Sequence, residues 1–586
     1  MNGSRRFIDD AALLAIALGA LALRIAPLLR AGGPLAWVVD YDEGVYFSAS
    51  ALLLRGVLPY RDFVFVHPPG LLYVVAITSW FHDPARAFAA MRIAAALIGA
   101  VSTFLVGRIT LRAAGLPGAI AAAALYATFP EAVTAERGPF LEMALNLACL
   151  AGAAAWLRRK PFPAGLALGA ACAVKVFGGI WIVAALVSGS RRDLPRLLGG
   201  AIVAGVVLVA PLFLVAPHAF IEQTLLFHII RPPDGIVARA ARVPEILAGG
   251  HVVATILAAI GLPSALRLQA ARFFAVATIL TAASFLASAS YWSQYNAHLA
   301  ASECVLAGIG AAALLRRLDQ RAAVAVALLV AVPSLRQSVL ASRGRAPELP
   351  AVAATIRENV PPGAPLFTFE PQWSLAAGRL PMIADSYGTM LLDAMRGGAK
   401  FPDAAAAFQS PGPQTQIRAA LAASRFAILG WRGKWQMNAD SRAWFASRFV
   451  CDTPAAGDLC LWEKAGPLQR TAIVFGDGWY GEEGLPPQTW RWMAGRSVTA
   501  LPRIAGPAHL ELALEIPREN LPATIAIELD GRILDRFTTT KTDEVRAYDA
   551  EGTNLVLTTD RTVSPPHDAR KLGLRLDRII WRAKRE

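Results

Sequence analysis

Residues 11–23 read AALLAIALGALAL, without a charge or a strongly polar side chain. One such run fits a soluble core helix, but here the pattern recurs. Segments almost free of charge stand at 93–107, 113–130, 197–217, 252–266, 275–290, 304–315 and 322–335. Crossing a bilayer takes about 20 mainly apolar residues, and several of these runs reach that with their flanks. Composition agrees: 55% of the 586 residues are hydrophobic, 17% are charged, and the mean hydropathy is +0.44. Soluble globular chains carry more charge than this. The first run is followed by many others and has no clear small-residue cleavage site. It reads as an uncleaved first membrane helix rather than a signal peptide.

Of the formal net charge of +14, most lies in residues 1–342, which hold 27 Lys and Arg against 16 Asp and Glu. The basic residues gather in short segments: Arg5-Arg6, Arg108/Arg112, Arg158-Arg159-Lys160, Arg191-Arg192/Arg196, Arg267/Arg272 and Arg316-Arg317/Arg321. The positive-inside rule puts all of these on the cytoplasmic side. The predicted path then makes eleven crossings of the cytoplasmic membrane, with the N-terminus inside and the C-terminus outside. Residues 161–190 lie between two inside clusters and are short for two full spans, so a hairpin of two short helices is predicted there, with Lys175 at its apex. Residues 70–81 (GLLYVVAITSWF) are too short to span, and a crossing there would move Arg108/Arg112 and Arg158–Lys160 outside. They read as an interfacial or re-entrant piece of the first outside loop. No aromatic-interleaved basic patch, zinc-type Cys/His spacing, P-loop or dinucleotide glycine motif is present, which argues against nucleic acid as a partner. The bilayer itself is the partner that this charge pattern implies.

Past residue 342 the texture changes, and the predicted domains are 1–342, 343–465 and 466–586. Helix-like pieces at 350–359, 416–424 and 440–448 alternate with short apolar strands at 365–369, 426–430 and 459–463, which predicts a small α/β domain. Residues 509–516 (HLELALEI), 524–530 (TIAIELD), 554–559 and 572–581 alternate apolar and polar positions between turn residues, which predicts a β-sandwich. The charge-derived topology places both domains on the periplasmic or extracellular side. Cys149, Cys172 and Cys304 fall in membrane helices. Cys451 and Cys460 flank the turn-rich DTPAAGDL, and outside the cytoplasm such a pair oxidises readily.

The stretch richest in chemistry follows the first membrane helix: Asp40-Tyr41-Asp42-Glu43-Gly44-Val45-Tyr46, then Gly56, Pro59-Tyr60-Arg61-Asp62-Phe63 and His67-Pro68-Pro69. Carboxylates beside a bilayer are costly and are usually kept for a function. A capping role for Asp42 on a helix over 43–55, ended by Gly56, is compatible with this.

This loop resembles that of the GT-C superfamily of integral membrane glycosyltransferases, including the protein O-mannosyltransferases and the lipid A aminoarabinose transferases. The Asp42-Glu43 pair followed by Tyr46, the Gly56…Pro59-Tyr60-Arg61-Asp62-Phe63 run and His67-Pro68-Pro69 carry the resemblance. Glu136-Arg137-Gly138-Pro139-Phe140 looks like the family's second outside loop, and Lys175 sits in a similar short-helix hairpin. The resemblance implies a polyprenyl-phosphate sugar as donor, a glycan, lipid or protein acceptor on the outer face, and an aspartate base, which carries over to Asp42.

That chemistry calls for such residues. An acceptor hydroxyl loses its proton as it attacks the anomeric carbon, so a positioned carboxylate is needed; Asp42 leads, with Glu43 and Asp40 beside it. The lipid phosphate gathers negative charge as it leaves, so cations must meet it. Lys175 is the sole charged residue in 161–190 and suits a phosphate, although a snorkelling anchor is also consistent. Arg137 and Arg231 are further phosphate candidates. Glu136 is a candidate for acceptor orientation or for a divalent metal, and His67 for the acceptor side or a simple turn position. No cofactor is otherwise implied. In the C-terminal half, GWYGEEGLPPQTWRWM (478–493) and DARKLGLRLDRI (568–579) resemble a β-sandwich module attached to bacterial envelope glycosyltransferases. There Tyr480, Trp490 and Trp492 are either sugar platforms or core, and Asp568 with Arg570 reads as a structural ion pair. The competing function class is non-catalytic: a transporter, or an envelope-polysaccharide assembly scaffold with a sugar-binding exported domain. The absence of a clear internal repeat weighs against a transporter.

Overall fold

A glycine decides how the longest helix is used. The computed structural model describes residues 3–317 and 348–583, together with Arg336, apart from 30–32, 37–38, 250, 397, 457–458, 465–472, 486–487, 503, 505, 566–567 and 569. Helix α1 spans Gly3–Ile25, α2 Tyr41–Leu53, α3 Gly70–Ala76 and α4 Pro84–Ala127. Within α4, Gly115 has φ +78° and ψ −178°, a region essentially closed to side chains with a Cβ. The chain turns back there: Gly107 packs directly against Ala123. The sequence separates two spans, 87–107 and 115–130, by a basic turn. In the structure they are two antiparallel helical runs that meet at a single residue.

The chain continues through α5 (Pro130–Ala135), α6 (Leu141–Leu157), α7 (Pro161–Val174), α8 (Gly178–Ser188) and α9 (Leu194–Leu208). Short pieces α10 (Ala210–Val215), α11 (Pro217–Ile221) and α12 (Phe227–Ile230) lead to α13 (Arg239–Ala248), α14 (Val252–Gly261), α15 (Gln269–Ala287) and α16 (Asn296–Leu315). Close helix contact depends on small residues, as expected where lipid supplies no hydrophobic drive between helices. Gly165 meets Leu197, Gly169 meets Ala201 and Gly200 meets Phe162, each against backbone, where α7 crosses α9. The 70–81 segment forms α3 and one further 3-10 turn, Ile77–Trp80, a helical piece too short to span. Among the described residues, four helices are long and apolar enough to cross a membrane, and the bent pair Arg239–Ala248 with Val252–Leu266 adds a fifth; three shorter apolar helices are α6, α7 and α8. The eleven-crossing path remains an expectation. Its last span, 321–340, falls almost wholly outside the described residues, as do the expected domain boundaries at 342/343 and 465/466.

The described residues fall into two compact units. The helical unit comprises Met1–Ala354 and also Glu370–Ala407. The second comprises Thr355–Phe369 and Phe408–Glu586. It contains a four-stranded sheet in which Leu366–Thr368 runs parallel to Phe426–Ile428, followed by the antiparallel strands Leu459–Lys464 and Phe449–Ala456. Cys451 and Cys460 are joined by a disulfide across those last two strands, with Cα atoms 5.9 Å apart. Two five-stranded sheets follow. Strands Ala508–Glu515 and Ala523–Leu529 bury every second residue, and Leu510, Leu512, Ile525, Ile527, Leu555 and Leu557 form one core between the sheets. This β-rich region matches the strands expected at 509–516, 524–530 and 554–559 to within a residue or two. Arg570 donates to Asp568 at 2.7 Å and is also paired with Glu483. The guanidinium of Arg575 lies 4.8 Å from the Trp490 ring and 5.8 Å from the Trp492 ring, and that of Arg570 lies 5.3 Å from Tyr480. All three aromatic rings considered for sugar stacking therefore carry an arginine of the same unit.

Candidate active site

The site begins at the N-terminus of α2. Its cap is Asp40, whose carboxylate accepts from the Asp42 backbone N–H at 3.1 Å. The helix thus starts at Tyr41, and the capping role expected for Asp42 falls to Asp40. The reason is spacing: a cap carboxylate reaches the N–H two or three positions on, and Asp40 has the extended backbone this needs. Glu43 is fully buried and held by the Arg92 guanidinium, with Nε at 2.9 Å, while Val39 N–H donates to it at 2.9 Å. Arg92 also donates to Pro34 O. This pair ties α2 to α4. Gly44 then allows a third element to approach, because a Cβ there would strike the backbone and side chain of Gln372.

Asp42 projects on the other side. The Tyr46 hydroxyl, one helical turn on, lies 3.5 Å from Asp42 Oδ2 and 3.3 Å from His67 Nε2. His67 is placed by its own loop. Tyr60, in a left-handed backbone conformation, donates its hydroxyl to His67 O at 2.7 Å. The next residues, Pro68, Pro69 and Gly70, bring the chain directly onto Ala173 and Val174 at the end of α7. The His67 ring stacks on His228, with centroids 5.2 Å apart, and His228 Nε2 is 2.6 Å from Val66 O. Burial, then the neighbouring His228, Lys175 and Arg231, hold the His67 imidazole well below the ordinary histidine range. Burial and Arg231 bring His228 down to about 4. Both rings are neutral at pH 7.

Two cations complete the cluster. Lys175 occupies the turn between α7 and α8, buried to 7% exposure. Its Nζ donates to Glu142 Oε1 at 2.7 Å and lies 4.4 Å from the Tyr295 ring. Asp42 and Glu142 are both close enough to act on the Lys175 ammonium. Arg231 follows α12 and donates to Asp234 Oδ2 at 2.9 Å. Asp234 also accepts from the Tyr387 hydroxyl. The 231–236 segment is pinned by a short parallel pairing of Asp234–Gly235 with Ser290–Tyr291, and by Arg242, which donates to Ile236 O, Phe285 O and Ser288 O. Lys175 has three donors, so its bond to Glu142 leaves two for a further acceptor.

The segment around Glu136 and Arg137 is built differently. Glu136 is fully buried, with one oxygen accepting from Arg24 Nε at 2.7 Å and the other from Tyr126 at 2.6 Å. Arg137 donates to Leu23 O at 3.0 Å. These residues fasten α1 to the loop after α4. Among the described residues no three His, Cys, Asp or Glu side chains gather as a metal would require. Each nearby carboxylate already has a charged or backbone partner, so this residue set does not fit the divalent ion considered for Glu136.

Residues 65–289 match the family model of glycosyltransferase family 87, a stretch that includes His67, Glu142, Lys175 and Arg231 and begins after Asp42. The apo crystal structure of ArnT from Cupriavidus metallidurans superposes with a TM-score of 0.56 at 16% identity, over 80% of this chain and 100% of that one. The same enzyme bound to undecaprenyl phosphate gives 0.52. The Archaeoglobus fulgidus oligosaccharyltransferase, in complex with zinc and sulfate, gives 0.51 at 10% identity over 98% of both chains. No curated protein sequence matches the chain. The fold is the one this chain shares with ArnT and the oligosaccharyltransferase. Within it, Asp42, His67, Lys175 and Arg231, each singled out in the sequence, meet around Tyr46, Tyr295 and His228. Sequence reasoning missed Glu142, His228, Asp234, Tyr295, Asp385 and Tyr387. The last two come from a segment expected in a separate domain. It docks on α2 instead, where the Tyr41 hydroxyl lies 3.2 Å from Asp385 Oδ1 and 3.0 Å from Ser386 Oγ. No motif marks DSYGTM (385–390); burial of Asp385 and Ser386 is its only signal.

Proposed function

We propose that this chain is an inverting glycosyltransferase that moves a sugar from a polyprenyl-phosphate donor to an acceptor hydroxyl at the outer face of the cytoplasmic membrane. The observation that carries the reading is the meeting of one carboxylate, Asp42, with two buried cations, Lys175 and Arg231, around the His67–His228 pair. ArnT, which shares the fold, has been crystallised with undecaprenyl phosphate, and this favours a lipid phosphate as the anion here.

Asp42 takes the proton of the acceptor hydroxyl as its oxygen bonds to the anomeric carbon. The bond from that carbon to the phosphate oxygen breaks, and its electron pair stays on the lipid phosphate. Lys175 and Arg231 meet that growing charge in a buried setting, where it is worth more than in water. The lipid tail remains in the bilayer, so the phosphate has only the interface in which to lie. Glu142 and Tyr295 orient Lys175; Asp234 and Tyr387 orient Arg231. Arg92 holds Glu43, Lys175 holds Glu142, Arg231 holds Asp234 and the helix cap holds Asp40, so in this scheme none of them acts as a covalent nucleophile. A single displacement with inversion follows. Glu43, Glu136 and Arg137 serve the scaffold in this scheme, and Asp40 presents Asp42.

The test is to incubate purified protein with labelled polyprenyl-phosphate sugars and follow donor loss. Consumption by the wild type and its collapse in Asp42→Asn are expected. Equal donor loss in both would remove Asp42 as the base, and no loss with any donor would remove the reading.

A further inference from the structure

The second unit carries a cavity of its own, of about 580 Å³, with Trp492, Glu515, Arg518, Glu519, Asp543 and Ser564 in its lining. Its size is that of ligand pockets, which run from roughly 300 to 1,000 Å³. The floor follows from strand register. In one five-stranded sheet Asp543 stands opposite Glu515, Glu515 opposite Arg575, and Arg575 opposite Trp492. Residues paired in this way share a face of the sheet. Their neighbours Leu514, Leu576 and Met493 are buried in the core between the sheets, so the row lies on the outer face. It crosses four strands, three spacings of about 4.8 Å, and so extends roughly 14 Å. The walls are fastened by backbone. Ile516 N–H donates to Thr542 O at 2.7 Å, and Val563 and Leu572 exchange hydrogen bonds at 2.9 and 2.7 Å. The turn Arg518–Asn520 is anchored by the buried Asn520 amide, which donates to Leu572 O at 3.0 Å and to Gly573 O at 2.7 Å. The cavity therefore has its shape before any ligand enters, which lowers the entropy cost of binding.

We propose that this cavity binds an uncharged oligosaccharide. A sugar ring presents an apolar C–H face and a rim of hydroxyls that both donate and accept, and the lining offers a partner for each. Trp492 gives the ring an apolar surface. The Arg575 guanidinium is 5.8 Å from the Trp492 ring, farther than its 4.8 Å from Trp490, and Trp492 still borders the cavity. Carboxylates accept from hydroxyls, and an arginine donates to them. Glu515 is paired with Arg575, and Asp543 accepts from the Thr542 hydroxyl at 2.8 Å; each carboxylate has further lone pairs to offer. Among the described residues, the Arg518 and Glu519 side chains make no hydrogen bond or ion pair, and both residues are exposed at the cavity. Charge selects the class of ligand. The lining sets Glu515, Glu519 and Asp543 against a single arginine, Arg518. Arg575 is shared between Glu515 and Asp577, so it does not reverse that balance. An anionic glycan or a phosphate meets a net negative site, and a basic peptide meets Arg518 as a like charge. A neutral, hydroxyl-rich ligand satisfies both signs.

The test uses the full-length protein in nanodiscs and isothermal titration calorimetry with four probes: mannohexaose, arabinohexaose, an oligogalacturonate and hexalysine. The wild type should bind at least one of the two neutral oligosaccharides. Trp492→Ala should weaken that binding by roughly tenfold or more. If the Trp492→Ala protein fails to fold, Arg518→Ala with Glu519→Ala changes only exposed positions and should weaken binding on its own by roughly tenfold. Failure of both neutral oligosaccharides to bind, or unchanged affinity in the variants, would overturn the proposal. Tighter binding of the oligogalacturonate would make this an anion site, and binding of hexalysine in place of the sugars would make it a peptide site. Either result overturns the assignment to an uncharged glycan.

Discussion

Three carboxylates stand within four residues, and the structure gives each a different task. Asp40 takes the helix cap and Glu43 the Arg92 guanidinium, which leaves Asp42 the contact with Tyr46 and the field of Lys175. If Asp42 is the base, Asp42→Asn should retain donor affinity and lose turnover by a factor on the order of 10²–10⁴, the usual worth of a general base. Donor binding and single-turnover rates, measured separately, check this. Lys175→Ala should act on the other side of the reaction. Its main effect should be a raised KM for donor, together with an unpaired buried Glu142, so Lys175→Arg is the needed companion and should restore part of the affinity. The histidine pair adds a pH dependence. His228 titrates near 4 in the folded chain because of burial and Arg231, against about 6.5 when unfolded. Depressed in this way, it contributes stability that is fully present above pH 6.5 and is lost as pH falls toward 4, on the order of 3 kcal/mol. His228→Gln should flatten the pH profile of thermal unfolding between those values. At this scale the sequence was legible where a charge stood alone in apolar surroundings, as with Lys175. It was silent where the partner was an ordinary residue far along the chain, as with Tyr295 and Tyr387.

Elements matter here through how they are joined. Gly115 makes two antiparallel runs of one long helix, and the fold-back sets Arg92 and Arg108 at opposite ends of the first run. The hydrophobic pattern revealed both runs, but a break this sharp needs a positive φ, and sequence alone does not say which glycine adopts it. The strands of the second unit were legible because one face is buried and the alternation is strict. The 370–407 segment was not, because its helices are short and its contacts are with α2 and the 231–236 loop rather than with its sequence neighbours. The junction of α2 with α4 gives a test that separates scaffold from chemistry. Glu43→Gln leaves the Arg92 charge buried without its anion, which should cost about 3–5 kcal/mol. The expected phenotype is a lower unfolding temperature and reduced yield of folded protein. Activity per folded molecule should stay within a fewfold of wild type. A stable Glu43→Gln protein with turnover as low as that of Asp42→Asn would instead put Glu43 in the reaction.

At the scale of the whole molecule the question is which side of the membrane each part faces. Three lines bear on it, the second resting on the first. The basic clusters at 108–112, 158–160, 191–196 and 267–272 favour the cytoplasm. The proposed catalytic residues lie roughly 24 Å from the first two of these along α4 and α6, which puts them at the outer face if the clusters are inside. The Cys451–Cys460 bond is of the kind that persists in oxidising compartments, which favours an outside location for the second unit. It should stabilise that unit by about 2–3 kcal/mol for so short a loop. An odd number of crossings before residue 345 satisfies all three. Reporter fusions after residues 112, 160, 192 and 318 should therefore read cytoplasmic, and fusions after 345 should read periplasmic. A cytoplasmic signal at 345 would leave the disulfide in a reducing compartment and take one crossing out of the path. A periplasmic signal at 160 would do more, since it would reverse α6 and put Glu142 and Lys175 on the cytoplasmic face. Donor phosphate at the outer interface would then be out of reach of both cations, and the proposed reaction could not take place there.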